Sequence, residues 1–191
     1  MTGSCAVVVG GSRGIGLGIA KGLSSIGHNV VILSRNATKI TQQHQQHQQQ
    51  DFPYTPFNCD ITNYEQLQQT HKQILSSFSK VQVLVNCAGI NYDNLLIRSS
   101  EEDIRKTIET NLIGTIYSCK VFSRSMIKQK NGCIINIGSV VGHSGNVGQS
   151  VYSASKSALI GFLSFFSFVI LFSCHFIISF KFLRDINHSL I

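Results

Sequence analysis

Short runs of apolar residues alternate with longer segments in which apolar residues recur every three to four positions. The short runs predict β-strands and the longer segments predict amphipathic helices. Strands are predicted over Cys5–Val9, residues 29–33, residues 54–58, Val81–Asn86 and residues 133–138. The last two runs are apolar enough to be buried on both faces, as in a parallel sheet. The pattern therefore predicts an α/β fold with a doubly wound parallel sheet.

Helical segments are predicted between these strands. One follows the first strand and ends at Gly27, and a second covers residues 63–79. A third covers residues 99–127 and is expected to be divided; it opens with a serine cap and acidic residues in its first turn. The Gln/His tract at 42–50 is interpreted as the solvent face of a helix after the second strand, without a function of its own.

Composition narrows the classes of function. The chain has 191 residues, enough for one domain, and a formal net charge of +7 at pH 7. Such a charge is compatible with nucleic acid, an acidic membrane or a phosphorylated ligand. Because Lys and Arg are scattered and no recognition motif is present, we expect no nucleic-acid partner. The 6 cysteines form no C-x-x-C pair, which argues against a disulfide framework and against a metal site.

A glycine-rich turn joins the first predicted strand to the first predicted helix, with the sequence V-G-G-S-R-G-I-G from Val9. Gly10 permits a tight turn, Gly14 lets a pyrophosphate approach the backbone, and Gly16 lets helix and strand pack closely. The helix N-terminus offers N–H groups and a positive dipole to phosphates. An ordinary strand–helix loop is the alternative. The predicted phosphate-binding residues are Gly10, Ser12, Arg13, Gly14, Ile15 and Gly16.

The end of the second strand indicates which dinucleotide would bind. An NAD-dependent enzyme tends to place Asp or Glu there to bind the ribose 2′-hydroxyl, but this chain has L-S-R-N. Arg35, with Arg13 in the turn, can form charge-assisted hydrogen bonds to a 2′-phosphate. The sequence therefore predicts NADPH, with Ser34 and Arg35 at its adenosine end. A solvated surface role for Arg35 is the alternative.

Three residues near the end of the predicted sheet suggest acid–base chemistry. Ser139 follows the fifth strand, and Tyr152 and Lys156 are four residues apart, so they share one helix face. A phenol is a weak acid at neutral pH, and an ammonium nearby stabilises the phenolate. This arrangement predicts that Tyr152 acts as a general acid–base group. A Y-x-x-x-K pair alone is more often a surface pair, so the upstream Ser139 and the glycine turn supply the specificity.

Taken in this order, the motifs resemble the short-chain dehydrogenase/reductase family from Cys5 to about Phe162. The matching residues are 10–16, Asp60, 86–89, Asn111, Ser139, Tyr152 and Lys156. Two departures are mild: Val9 stands where Thr is usual, and Cys87 replaces Asn or Ala. Within the family, residues 88–96, 138–142 and 145–149 resemble 3-oxoacyl-[acyl-carrier-protein] reductases of the carbonyl reductase 4 type.

The resemblance implies a role for each matched residue. Ser139 would hold the substrate carbonyl oxygen, Tyr152 would protonate it, and Lys156 would bind the nicotinamide ribose and bias Tyr152. Asn111 would hold a water molecule in the proton relay, and Asp60 would contact the adenine. Beyond the glycine turn, the residues expected to contact the cofactor are Ser34, Arg35, Asp60, Asn86, Ala88, Gly89, Tyr152 and Lys156.

The last part of the chain departs from the family pattern. The family's Pro-Gly loop has no match, because the only prolines are Pro53 and Pro56, and residues 160–180 contain no Lys, Arg, Asp or Glu. A membrane helix, a buried helix replacing lost core, and unselected sequence from an alternative transcript are all open interpretations; the last explains both the sharp break and the lost motifs. We expect a Rossmann domain with the NADP-binding and catalytic residues at 1–159, a sheet incomplete at its C-terminal side, an apolar tail at 160–180 and a polar end at 181–191.

The resemblance implies NADPH-dependent reduction of a carbonyl, in a 3-oxoacyl thioester, ketone or quinone, to an alcohol. The expected partners are a small-molecule or acyl-carrier-protein-bound substrate and related subunits in an oligomer, with membrane contact through the tail as a further candidate. The alternative is a non-catalytic truncated chain that binds nucleotide or full-length subunits. For residues 1–191 alone we expect little reductase activity. The mitochondrial matrix is the expected location, with cytoplasm or membrane attachment as alternatives.

Overall fold

A five-stranded parallel sheet forms the centre of the protein. The computed structural model describes residues 4–38 and 52–169, with side chains up to 162. The strands are β1 (Cys5–Val9), β2 (Asn29–Ser34), β3 (Thr55–Asn58), β4 (Val81–Asn86) and β5 (Cys133–Asn136). They lie in the order β3-β2-β1-β4-β5, and every neighbouring pair is parallel. The α/β, doubly wound arrangement predicted from the sequence is confirmed.

Helices connect the strands and cover the sheet. The helices are α1 (Gly14–Ser25), α2 (Tyr64–Phe78), α3 (Glu101–Ile108), α4 (Gly114–Gln129), α5 (Val141–Ser144) and α6 (Ser150–Val169). A short 3₁₀ turn covers Leu96–Arg98. The predicted serine cap is present on α3, where the Ser100 side chain accepts a hydrogen bond from the N–H of Asp103.

The two faces of the sheet carry separate clusters of buried apolar side chains. Because successive side chains of a strand point to opposite faces, Val7 and Val8 of β1 belong to different clusters. Val7 shares its cluster with Leu67 of α2 and Phe122 of α4, and Val8 shares the other with Ala20 of α1. The sheet is therefore packed on both faces, and this packing fixes the positions of its strand ends.

The predicted division of the 99–127 helix is present as a π-helical turn. Glu109–Ile113 forms this turn between α3 and α4. Asn111 lies at its centre with 0% of its surface exposed. Such turns widen a helix locally and occur often at functional sites.

The order of the strands reverses at β1, which pairs with β2 on one side and with β4 on the other. In an open parallel sheet, the crevice outside the carboxyl ends of the strands at such a point is where ligands bind. The glycine turn follows β1 at this edge, and Cys87, Ala88 and Gly89 follow β4. The fold thus brings both segments to one end of the sheet.

Two expectations fall partly or wholly outside the described residues. The Gln/His tract at 42–50 lies outside them, as do residues 170–191. Within the described residues, α6 runs without a break across the expected boundary between 159 and 160. No helix in the described ranges combines the length and the apolar character needed to cross a membrane.

One titratable group lies between α2 and α4. The Nε2 atom of His71 is 3.1 Å from the Ser125 hydroxyl, and its ring meets Phe122 edge-on with centroids 4.7 Å apart. Burial lowers the pKa of His71 from its ordinary 6.5. The folded state therefore binds a proton less readily than the unfolded state, so this group makes stability fall as pH drops below about 6.5.

We predict that His71→Gln weakens this pH dependence. Glutamine can still bond Ser125 but does not titrate, so the free energy of unfolding should fall less between about pH 7 and pH 5 than in the unmodified chain. Urea denaturation at a series of pH values measures it. Above about pH 8, where histidine is neutral in both states, the difference between the two proteins should be constant. An unchanged slope in the acid range would contradict the prediction.

Candidate active site

The glycine turn packs tightly against the protein on one side and is open on the other. Gly10 has φ +77°, and a Cβ there would lie 2.6 Å from the backbone nitrogen of Ala88. A Cβ on Gly16 would overlap the carbonyl oxygen of Gly10. Gly14 has φ +55°, and a Cβ there would meet nothing within 4 Å. Only glycine fits the first two positions, while Gly14 faces space in which a ligand can approach the backbone.

The N-terminus of α1 lacks a side-chain cap among the described residues. Its cap residue, Arg13, makes no capping hydrogen bond, and the first turn contains no acidic residue. Ser12 is half-buried, whereas Arg13 and Ile15 are exposed. An uncapped helix start with its positive dipole end is suited to bind an anion. These features fit the phosphates of a dinucleotide.

The end of β2 presents a hydroxyl and a guanidinium. The Ser34 hydroxyl oxygen is buried and has no hydrogen-bond partner in the described part of the chain. This hydroxyl is therefore open to a hydrogen bond with a ligand at the end of β2. Arg35, the next residue, is exposed. Together they fit the adenosine end of a dinucleotide with a 2′-phosphate.

Asp60, expected at the adenine, is engaged within its own turn. Its Oδ1 atom accepts hydrogen bonds from the backbone nitrogen and the hydroxyl of Thr62, at 2.9 and 2.7 Å. Its backbone nitrogen donates to the Gln66 side chain at 2.8 Å. These bonds shape the turn between β3 and α2. The contact of Asp60 with adenine stays a prediction.

Asn86, also expected at the cofactor, has a buried side chain that bonds to neighbouring elements of the fold. Only 4% of its surface is exposed. Its Nδ2 donates to Asn136 Oδ1 at 2.8 Å, joining the ends of β4 and β5. Its Oδ1 is buried and has no partner among the described residues. The side chain of Asn86 therefore braces the strands, and the residues that follow it form the surface of the crevice.

The loop after β4 brings Gly89 close to two residues that are distant in sequence. A Cβ on Gly89 would lie 3.4 Å from Asn111 Oδ1 and 3.6 Å from Lys156 Nζ. Ala88 is half-buried against the glycine turn, and Gly89 is exposed. The structure thus places the expected cofactor surface beside two of the four expected catalytic residues.

Lys156 is buried beside Tyr152. It is 5% exposed, and its Nζ donates to the carbonyl oxygen of Ile137 at 2.9 Å. The same nitrogen lies 5.8 Å from the centre of the Tyr152 ring, which is half-buried. Burial lowers the pKa of Lys156, and the nearby Cys87 opposes this shift. The predicted pairing of these two residues on one helix face is therefore present.

Ser139 is half-buried and begins the turn that leads to α5. Its carbonyl oxygen accepts from the backbone nitrogen of Gly142 at 3.0 Å. Gly142 packs on α6, because a Cβ there would lie 3.1 Å from Lys156 backbone and Cβ atoms. Ser157 donates to the carbonyl oxygen of Gly142. The segment that carries Ser139 is thereby held against the helix that carries Tyr152 and Lys156.

The structure adds contacts that the sequence did not indicate. Asn111 is bonded to the backbone of Ile90 and to Ser155, so its amide serves segments far apart in sequence. Ile137 accepts a hydrogen bond from Lys156, and Gly142 donates one to the carbonyl oxygen of Ser139. Cys87 lies near Lys156, and burial raises the pKa of its thiol while Lys156 opposes this. Apart from the bond between Ser139 and Gly142, these contacts join residues far apart in the chain, so no local pattern identifies them.

Comparison with known proteins adds independent information. A profile of the family "short chain dehydrogenase" matches residues 4–168. Carbonyl reductase family member 4 of Xenopus tropicalis is 44% identical over 169 residues, which cover 85% of this chain and 66% of that protein. The 3-oxoacyl-[acyl-carrier-protein] reductase of Bos taurus is 42% identical over 165 residues, which cover 83% of this chain and 65% of that protein. The chain spans about two thirds of the length of these curated relatives.

A solved structure shares the fold. The crystal structure of a metagenomic short-chain oxidoreductase in complex with NADP superposes with a TM-score of 0.83 at 27% identity, covering 93% of this chain and 81% of that one. The profile extends over most of the chain, including the glycine turn and the Tyr152–Lys156 pair. The chain belongs to the short chain dehydrogenase family.

Proposed function

We propose that this protein binds NADPH and reduces a carbonyl group to an alcohol. One observation carries the proposal: Gly89, Asn111 and the Lys156–Tyr152 pair meet at the end of the sheet from which the open glycine turn projects. A nucleotide-binding surface and an acid–base pair at one place are what hydride transfer to a carbonyl requires.

The chain's own residues would hold the cofactor along this edge. The uncapped start of α1, with Ser12, Arg13 and the backbone at Gly14 to Gly16, would bind the pyrophosphate. The Ser34 hydroxyl, which has no partner in the described ranges, and Arg35 would bind the 2′-phosphate. Ala88 and Gly89, which follow Asn86 at the end of β4, would line the cofactor. Asp60 would meet the adenine with its second carboxylate oxygen, because Thr62 engages the first.

The proposed chemistry needs a hydride on the carbonyl carbon and a proton on its oxygen. The reduced nicotinamide supplies the hydride. Ser139 donates a hydrogen bond to the carbonyl oxygen, and Tyr152 gives that oxygen its proton. Lys156, held by Ile137, stabilises the phenolate that remains and binds the nicotinamide ribose. A ketone, NADPH and one proton become an alcohol and NADP⁺, and Tyr152 regains its proton from solvent.

The proposed substrates follow from the names of the relatives. A carbonyl reductase and a 3-oxoacyl-[acyl-carrier-protein] reductase are similar to this chain. We infer a ketone, or a 3-oxoacyl thioester free or on a carrier protein, as the substrate class. Assembly with like subunits and a mitochondrial location belong to the same proposal.

The direct test is NADPH consumption by the purified chain with an acetoacetyl thioester. Formation of the 3-hydroxyacyl product in amounts equal to the NADPH consumed supports the proposal. NADPH binding without turnover favours the alternative of a non-catalytic nucleotide-binding chain. Absence of both would contradict the assignment of the cofactor site.

We predict that the unmodified chain binds NADPH more tightly than NADH and that Arg35→Asp removes or reverses this preference. Loss of a charge-assisted phosphate contact should cost about 1.5–3 kcal/mol. Fluorescence titration with both dinucleotides measures the two dissociation constants. Arg124→Asp makes the same change of charge on the exposed side of α4 and should keep the preference. Equal affinities for NADH and NADPH in the unmodified chain would refute the assignment to Arg35.

We predict that, in a chain extended by the C-terminal part of a relative, Tyr152→Phe abolishes reduction and leaves NADPH binding nearly intact. A positioned general acid contributes about 10²–10⁴-fold to the rate, and phenylalanine has no proton to give. Lys156→Ala should impair both binding and turnover, because Lys156 has both roles. Tyr117→Phe is the matched control, since that ring packs on Tyr64, away from Lys156. Steady-state kinetics and NADPH titration separate these outcomes, and substantial turnover by Tyr152→Phe would exclude Tyr152 as the acid.

A further inference from the structure

A continuous set of buried hydrogen bonds joins the loop after β4 to α6. The side-chain amide of Asn111 pairs with the backbone of Ile90: Oδ1 accepts from the Ile90 nitrogen at 2.8 Å, and Nδ2 donates to the Ile90 oxygen at 2.9 Å. The same Nδ2 donates to the Ser155 hydroxyl at 3.1 Å. That hydroxyl in turn donates to the carbonyl oxygen of Tyr152 at 2.7 Å. Ser155 is thus the link between Asn111 and the helix turn that bears Tyr152.

Because this link is buried, the loss of any of its hydrogen bonds is costly. Asn111 and Ser155 are each 0% exposed, so water does not replace a missing partner there. Both N–H groups of the Asn111 amide are used, one on Ile90 and one on Ser155. Removing the Ser155 hydroxyl would leave one of them buried without an acceptor, and a buried polar group without a partner drives rearrangement around it.

We propose that Ser155 is a positioning residue, which sets the distance between Tyr152 and the cofactor surface at Gly89. It acts through Asn111 on one side and through the Tyr152 carbonyl on the other, and it touches neither substrate nor cofactor. Gly89 immediately precedes Ile90 and faces both Asn111 and Lys156, so a shift of the Asn111 amide moves the surface on which the nicotinamide would lie. This inference rests on the proposed function.

A purely local role for the hydroxyl is the competing explanation. Serine and threonine in helices often bond a carbonyl three or four residues earlier, as Thr70 and Thr107 do here. Such a bond satisfies the side chain and has no consequence for another segment. Ser155 differs because its oxygen also accepts a bond from a residue 44 positions away in the chain. The two explanations make different predictions for Ile90, which the Asn111 amide connects to Ser155.

Ser153 provides a matched control on the same helix. It lies next to Tyr152, is 9% exposed, and its hydroxyl has no hydrogen-bond partner among the described residues. Ser153→Ala therefore removes the same atom, at similar burial, without breaking the link. Any effect of a missing serine hydroxyl on α6 in general should appear in both variants.

The experiment compares Ser155→Ala, Ser153→Ala and the unmodified 191-residue chain. It measures kcat and KM with an acetoacetyl thioester, NADPH affinity by fluorescence, and hydrogen exchange at the Ile90 amide by NMR. For Ser155→Ala we expect kcat to fall about ten- to a hundredfold with NADPH affinity largely kept, because misplacement affects the aligned reaction more than binding. We also expect faster exchange at Ile90, whose N–H is held by Asn111. Ser153→Ala should match the unmodified chain in every measurement.

Equal kcat and equal Ile90 exchange in Ser155→Ala and Ser153→Ala would overturn the proposal. If the unmodified chain binds NADPH but does not reduce the thioester, the proposed reaction is refuted independently of Ser155. Hydrogen exchange at Ile90 alone then tests the role of Ser155. If Ser155→Ala does not fold, Ser155→Cys replaces it, since a thiol is a weaker donor and acceptor. A smaller loss of kcat and of Ile90 protection then supports the proposal, and values identical to the unmodified chain overturn it.

Discussion

The turn after β1 and the loop after β4 touch with no room for a side chain between them. A Cβ on Gly10 would lie 2.6 Å from the backbone of Ala88. This approach is possible because β1 and β4 are paired directly, with Val9 opposite Asn86, so both chains leave the sheet at the same level. The phosphate-binding turn and the surface beside Lys156 therefore belong to one rigid unit, and a shift of either segment would carry the other with it.

The site contains polar groups that burial makes costly. Lys156 is buried with only 5% of its surface exposed, and within the described parts of the chain its ammonium is compensated by a backbone carbonyl and not by a carboxylate. Asn111 is fully buried in a π-helical turn, which departs from the regular hydrogen bonding of a helix. Groups of this kind are poor contributors to stability and cluster at functional sites. Their presence at the carboxyl edge of the sheet agrees with a site selected for chemistry.

Helix α6 is held by three consecutive residues, each bonded to a different segment. Ser155 bonds Asn111 of the π-helical turn, Lys156 bonds Ile137 after β5, and Ser157 bonds Gly142 of α5. Successive side chains on a helix point about 100° apart, so three neighbours reach three directions. The orientation of Tyr152 about the helix axis is therefore determined by contacts made one turn further along, and not by Tyr152 itself.

The sequence by itself determined the strands, the glycine turn, the serine cap of α3 and the spacing of Tyr152 and Lys156. These are local properties: side-chain periodicity, the φ freedom of glycine and the reach of a serine hydroxyl act over a few residues. Only the tertiary structure decided that Asn86 braces the strands, that the Asn111 amide is committed to Ile90 and Ser155, and that the Ser34 hydroxyl has no partner among the residues described. Each of these depends on which distant segments meet once the sheet has formed, and hydrogen bonds between such segments leave no periodic trace in the chain.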